Sequence, residues 1–216
     1  MKCPRCTALI RSEDTICPQC RFSASHLHRT IGSQWVRLQR LTDAAQCLRL
    51  EDLRKTEILL NDFERRFPQA FFSAYIGALP VTMSVSELGF WLLNQGAFDT
   101  QSINRRNDYG LMLVIDPSAK HVSLTLGYSL EGWFTESQIT TILRKAGRDL
   151  SRNAFASAIA RVCRQCSRIM QKNARRCVWA PEGQNGVEHM ENWGLETLRT
   201  GNHQSPAKTQ HTRNLA

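Results

Sequence analysis

The sequence predicts an α/β fold: a mixed central β-sheet sandwiched by helices, preceded by a small four-cysteine metal module. Three observations carry that expectation. Two Cys-Pro-x-Cys pairs occupy the first twenty residues. Short apolar, β-rich runs stand at AFFSAYIGAL (70–79), GLMLVI (110–115) and HVSLTL (121–126). Between and after them lie stretches whose apolar residues recur at helical spacing, so strands alternate with helices as in layered α/β domains.

The first element is Cys3-x2-Cys6 followed by Cys17-x2-Cys20. Each pair can curl into a knuckle that aims two sulfurs at one ion, and two knuckles complete the tetrahedral four-thiolate set that a structural zinc prefers. So short a segment buries too little apolar surface to fold alone. Zinc binding in small fingers supplies on the order of 10–16 kcal/mol, so metal takes the place of a core. The rival readings are a thioredoxin-like redox pair, which normally follows a strand, and unligated thiols. The stretch resembles the short bacterial zinc ribbons of CPxCG type, departing from them at Thr7 and Arg21, where glycine is usual. Glycine tolerates positive φ there, so both knuckles are expected to carry some strain. Four thiolates leave no open coordination position, and the ribbon implies structure without catalysis.

Residues 25–34 are rich in Ser, His, Thr and Gly and read as a linker, with His26 and His28 as solvated side chains. Leu50 to Phe67 reads as a surface helix with one apolar stripe (Leu53, Ile58, Leu60, Phe63, Phe67), closed by Pro68. AFFSAYIGAL, almost uncharged, is expected as a central strand. Ser84 or Ser86 can cap a short helix through Trp91 to Leu93, ending at Gly96. A polar loop, 99–108, contains Arg105 and Arg106. GLMLVI and HVSLTL flank Asp116-Pro117-Ser118-Ala119-Lys120, whose residues have the chemistry of a turn, and so form a hairpin.

Composition excludes some classes. The chain of 216 residues is 42% hydrophobic with a formal net charge of +9, enough for one core and appendages. No run of about 20 apolar residues marks a membrane span. The start lacks the apolar stretch of a signal peptide, and a cytoplasmic location is expected. In a reducing compartment the eight cysteines remain thiols or metal ligands. No P-loop, HExxH or Ser-His-Asp pattern is present.

The excess positive charge concentrates between Arg144 and Arg176, where Asp149 is the one acid. On a helix beginning near Ser151 or Asn153, Phe155, Ala158, Ile159, Val162, Cys166, Ile169 and Met170 share one side. Arg161, Arg164, Arg168 and Lys172 recur on another. These four are the candidate partner-binding residues, and the same stripe suits an acidic protein, nucleic acid phosphate or an anionic surface, or is simply solvated. Cys163, Cys166 and Cys177, with His189, have the residue types of a second metal site. Cys163 and Cys166 instead read as small buried hydrophobes, as does Cys47. After Trp179 the chain turns polar, with Trp193 and Leu195 as a candidate docking turn, and residues 179–216 are expected to be largely disordered.

The stretch NDYGLMLVIDPSAKHVSLTLGYSLEG (107–132) resembles the core of the TPM domain, the family that includes a thylakoid-lumen acid phosphatase-like protein. LTDAAQCLRLEDLRKTEILLNDFERRFPQ, AFFSAYIGAL and the closing helical region 136–169 support the resemblance in the family's order. Four parts are therefore expected: a zinc ribbon over 1–24, a linker over 25–34, a TPM-like α/β domain over 35–178, and the tail. The resemblance implies phosphatase activity in some members and divalent-metal binding, often calcium, in others. Carried over by position, the acidic loop residues are Asp43, Asp108 and Glu131. If their loops met at one sheet edge, the carboxylates would suit a hard cation such as Ca or Mg, and that cation a phosphate. Each acid has a structural alternative: Asp43 and Asp108 as caps, Glu131 as a partner of a nearby Arg. Asn107-Asp108-Tyr109-Gly110 and Gly127-Tyr128-Ser129-Leu130-Glu131-Gly132 depart from the family's usual Asp-Asn-Gly and GYGLEG. Three readings follow: a non-catalytic module that recruits a protein partner, a metal-dependent phosphatase, and a nucleic-acid binder.

Overall fold

The computed structural model describes residues 2–11, 14–80, 82–98 and 107–178. Arg105, Arg106, His189, Trp193, Leu195 and the tail from residue 179 lie outside the described residues, as does the side chain of Cys177. The chain divides into two compact units, Met1–Gln171 and Lys172–Ala216. Of the second, only the end of one helix is described.

After the cysteine module come α1 (Ala24–Ile31), β1 (Val36–Leu38), β2 (Leu41–Asp43) and α2 (Leu50–Arg66). Then follow β3 (Phe71–Ile76), α3 (Val85–Gln95), β4 (Gly96–Phe98), β5 (Gly110–Asp116), β6 (His121–Leu126), α4 (Glu136–Leu150) and α5 (Phe155–Val178). Single 3-10 segments, Asn107–Tyr109 and Tyr128–Trp133, bracket the β5–β6 hairpin. The main sheet has the order β2-β3-β5-β6; β2, β3 and β5 run parallel, and β6 returns antiparallel. This is the mixed sheet that the sequence predicts.

The alternation of strand side chains builds two cores. Phe72, Ala74 and Ile76 of β3 and Leu111, Leu113 and Ile115 of β5 face one side, where Leu60 and Phe63 of α2, Ile142 and Ala146 of α4, and Ile159 and Val162 of α5 close over them. Phe71, Met112 and Val114 face the other side. There Trp91, Leu92 and Leu93 of α3 pack together with Leu27 of α1 and with Cys3, Cys17 and Phe22. The cysteine module is therefore part of a layer on the sheet, and it belongs to the same compact unit as the sheet.

Several elements differ from the sequence reading. Helix α1 takes up most of residues 25–34, because Leu27 is buried in the second core and the Trp91 indole N–H donates to the Gly32 carbonyl at 2.9 Å, fixing the helix end to α3. His26 is exposed, whereas His28 approaches Gln95 at 3.3 Å. The short parallel pair β1–β4 has no pattern in the sequence long enough to announce it. Helix α3 does end at Gly96, but that glycine is extended (φ −81°) and starts β4. Helix α5 begins at Phe155 because Ser151, Arg152 and Asn153 bond back to carbonyls of α4 and Asn153 takes a φ of 57°. At the hairpin turn, Asp116 Oδ1 accepts from the Ser118 and Ala119 N–H groups and Lys120 has a φ of 55°, the turn expected there.

Candidate metal centre and charged clefts

Each Cys-Pro-x-Cys pair folds into a knuckle held by its own backbone. The Thr7 N–H donates to the Cys3 carbonyl at 2.9 Å, and the Arg21 N–H donates to the Cys17 carbonyl at the same distance. The Cys3 N–H reaches Ala8 (2.9 Å) and the Cys17 N–H reaches Phe22 (2.8 Å), so the two halves match. The sulfurs of Cys3 and Cys20, and of Cys6 and Cys17, stand 3.6 Å apart. All four ligand atoms lie within 4.8 Å of one another. A tetrahedral zinc with Zn–S near 2.3 Å requires S···S separations of about 3.8 Å, so these four fit a single ion. Among the described residues they are the one group of three or more Cys, His, Asp or Glu side chains so disposed.

Their protonation is uneven without a metal. Burial pushes the Cys3 thiol up to about 12. The Cys20 N–H, first among several donors, brings Cys17 down to about 7. Thr7 and Arg21 have φ of 59° and 58°, the left-handed region that the absent glycines would occupy without strain. Replacing either by glycine is therefore expected to stabilise the protein by about 1 kcal/mol. The β-branched Thr7 should show the larger gain. Thermal melts of T7G and R21G check this, and unchanged midpoints would show that the knuckles carry no such strain.

The module is tied to the body by a contact that the sequence reading missed. The Arg5 Nε donates to Glu87 Oε1 at 2.6 Å, and the Arg5 guanidinium lies 5.4 Å from the Phe22 ring centre. Glu87, 3% exposed, also closes a capping box at the start of α3. Its Oε2 accepts from the Ser84 N–H (2.9 Å), and its own N–H donates to Ser84 Oγ (3.2 Å). The box was legible as Ser84-x-x-Glu87. Nothing local singles out Arg5, which fills the variable position of its motif. A second tie, Lys2 to Glu136 at 3.0 Å, is solvent-exposed at both ends and contributes little.

The three candidate acids do not share one place. Asp43 ends β2, where Oδ1 accepts from the Cys47 N–H (3.0 Å) and Oδ2 from the Leu48 N–H (2.7 Å). Asp43 aligns through Ile76 with Ile115. Asp108 lies just before Gly110, at the start of the same strand β5. Glu131 lies in the 3-10 segment that follows β6 and packs against the one carrying Asp108. Asp43 is thus at one end of the sheet, and Asp108 and Glu131 are at the other. These two line a cavity of about 300 Å3 shared with Lys2, Phe90, Tyr128 and Phe134. Burial first, then the charges of Glu131 and Asp108, raise the Tyr128 phenol above its ordinary range.

The basic stripe sits beside a groove between α2 and α5. Two adjoining hollows, about 340 and 590 Å3, share Leu59, Arg164 and Arg168. Lys55 and Arg66 of α2 line opposite stretches of the groove, and Ala156 and Ala160 leave room on α5. Arg161 is bound by Asp149, at 2.6 Å from Nε and 3.2 Å from Nη2. Arg164 and Arg168 have no acidic partner among the described residues. Lys172 is exposed, in the second compact unit. Cys163 and Cys166 are buried in the first core, where burial pushes the Cys163 thiol up to about 12 and Cys166 upward too. Cys47 is half-buried, its thiol near the Ala45 carbonyl. No helix among the described residues is long and apolar enough to cross a membrane.

The family description "TPM domain" matches residues 41–169. Among solved structures, the N-terminal domain of a Corynebacterium glutamicum protein is 12% identical with a TM-score of 0.47, covering 60% of this chain and 78% of that one. The N-terminal domain of a P. gingivalis protein is 16% identical with a TM-score of 0.47, covering 62% and 83%. A protein of the psychrophilic bacterium Bizionia argentinensis is 9% identical with a TM-score of 0.48, covering 58% and 82%. No curated protein matches the sequence.

Proposed function

The chain belongs to the TPM domain family, and from that premise we propose that it is a non-catalytic cytoplasmic module that recruits an acidic protein partner in the groove between α2 and α5. The observation that carries this reading is the pair Arg164 and Arg168. Both are without acidic partners among the described residues, and both flank hollows floored by Leu59 and Phe63. Asp52 and Asp62 also line the hollows, Asp62 being held by Arg65, and two guanidinium groups left without an ion pair beside Leu59 and Phe63 suit a segment with carboxylates on one side and aliphatic residues on the other. In this reading the ion among Cys3, Cys6, Cys17 and Cys20 is zinc, and its role is structural because four thiolates fill the tetrahedron. Such thiolates persist in a reducing compartment, which supports the cytoplasm.

Fluorescence anisotropy with a labelled amphipathic Glu/Leu peptide tests the proposal. Binding should weaken as salt rises and fall roughly tenfold or more in R164E/R168E. A short labelled single-stranded DNA is the control. Tighter binding to DNA, lost in the same variant, would favour the nucleic-acid reading instead. Absence of binding to either probe would reject the groove.

The phosphatase reading has weaker support from the geometry. Asp108 and Glu131 line one cavity and would be the carboxylates available there to calcium or magnesium, with Asp43 engaged by backbone N–H groups elsewhere. Turnover of an aryl phosphate that disappears in D108A would restore it.

A further inference from the structure

We propose that the free edge of β6 is a docking site for an extended peptide segment of a partner protein, one that carries a lysine or arginine beside Asp108 and Glu131. This surface is separate from the α2–α5 groove and does not depend on it.

Strand β6 is the last of the sheet, with no strand paired beyond it among the described residues. The Gly127 N–H donates to the Gly110 carbonyl at 2.8 Å, and this pair continues the register in which Leu111 faces Leu126. Hydrogen-bonded pairs in an antiparallel ladder alternate, so Met112–Thr125 and Val114–Ser123 are the next two. The residues between them, Val122, Leu124 and Leu126, therefore turn their N–H and C=O groups away from β5. Leu124 and Leu126 line the cavity of about 300 Å3. Two outward donor–acceptor pairs, spaced as a strand spaces them, thus border a walled slot.

The walls set the chemistry of the occupant. Phe90 of α3 stands on one side of the slot and Phe134, just before α4, on the other. Alternate side chains of an added strand point to opposite faces, so each set meets an apolar wall. The cysteine module forms the front wall through Lys2 to Leu9, where Lys2 and Leu9 bridge antiparallel. An edge guarded in this way does not invite indiscriminate pairing, yet it leaves backbone groups for a segment that enters the slot. Lys2 is neutralised by Glu136. Asp108 and Glu131 have no ion-pair partner among the described residues, and both raise the Tyr128 phenol after burial has done so. Among the described residues no cationic side chain is paired with that end, and one supplied by the occupant would be.

The test uses the full, zinc-loaded chain and a displayed library of short random peptides, with the selected peptides resynthesised. Expected winners alternate apolar residues and carry a basic residue at one end. Their binding slows amide exchange at Leu124 and Leu126. A glutamate twin of each winner binds roughly tenfold more weakly, and D108N/E131Q removes that difference. Leu126→Pro deletes an outward N–H without touching the ladder to β5 and should abolish binding. If that variant does not fold, peptides N-methylated at alternate amides give the same readout, because one of the two methylation patterns must destroy binding. The inference is overturned if no peptide is selected, if winners leave the Leu124 and Leu126 amides unprotected, or if lysine and glutamate twins bind alike.

Discussion

With zinc held by the four cysteines as proposed, stripping it from the reduced protein is expected to lower the melting point of the whole unit from Met1 to Gln171, by ten degrees or more. The reason is the location of the ligands. Cys3 and Cys17 are 1% and 2% exposed and belong to the same core as Trp91, Leu92, Leu93 and Met112. Loss of the ion frees the knuckles that carry Phe22, and with them part of the cover over one face of the sheet. Structural zinc contributes on the order of 10–16 kcal/mol in small fingers. Loss of even about 5 kcal/mol lowers the midpoint of a chain this size by roughly 10–20 °C. Calorimetry with and without a strong zinc chelator, under reducing conditions, should show one transition displaced to lower temperature. Two transitions, with the main one unmoved, would mean that the module merely rides on an independent body. Metal retention should fall as pH falls, because protons compete for the four thiolates.

Glu87→Ala is expected to cost about 2–4 kcal/mol, a large effect for a residue on no catalytic surface. The carboxylate is buried and holds both the start of α3 and Arg5 of the module. Removing it deletes a capping box, about 0.5–2 kcal/mol, and a charge-assisted hydrogen bond, about 1.5–3 kcal/mol. The second share is discounted because Arg5 is 38% exposed. Burial alone would raise the Glu87 pKa, but the Ser84 N–H and the Arg5 guanidinium outweigh it and hold the group below its ordinary 4.5. A carboxyl depressed on folding adds stability above its unfolded pKa and loses it as pH falls through the folded value. The wild type should therefore lose this contribution below pH 4.5, and the Glu87→Ala curve should lack that part of the acid limb. Denaturant titrations across that range measure both quantities. Equal stability of the two proteins at neutral pH would dissociate the module from α3.

The elements that sequence reading recovered are those with a local cause. Helix α2, expected over Leu50 to Phe67, runs Leu50–Arg66, because Leu60 and Phe63 are buried along it and Pro68 stands just beyond its end, whereas Ile58 of the expected stripe is exposed. The β5–β6 hairpin follows from Asp116 and the turn residues beside it. Thr7 and Arg21 have the positive φ that the missing glycines implied. Helix α1 went unrecognised because its one buried residue, Leu27, is justified by Trp91 and Phe22 rather than by its neighbours in sequence. That Arg164 and Arg168 have no ion pair among the described residues was equally hidden. It depends on Asp149, twelve residues before Arg161, folding back to take that arginine and not the others.

Four cysteines in two knuckles, strands alternating with helices and a basic stripe on the last helix were all written into the order of residues, because each arises from spacings of a few positions. Where those parts meet was not. The parallel course of β2, β3 and β5 sends Asp43 to one end of the sheet and Asp108 with Glu131 to the other, and burial of Cys3 and Cys17 against α3 makes the cysteine module a layer of the domain. Strand direction and layer packing come from contacts between distant segments, and no local pattern encodes them.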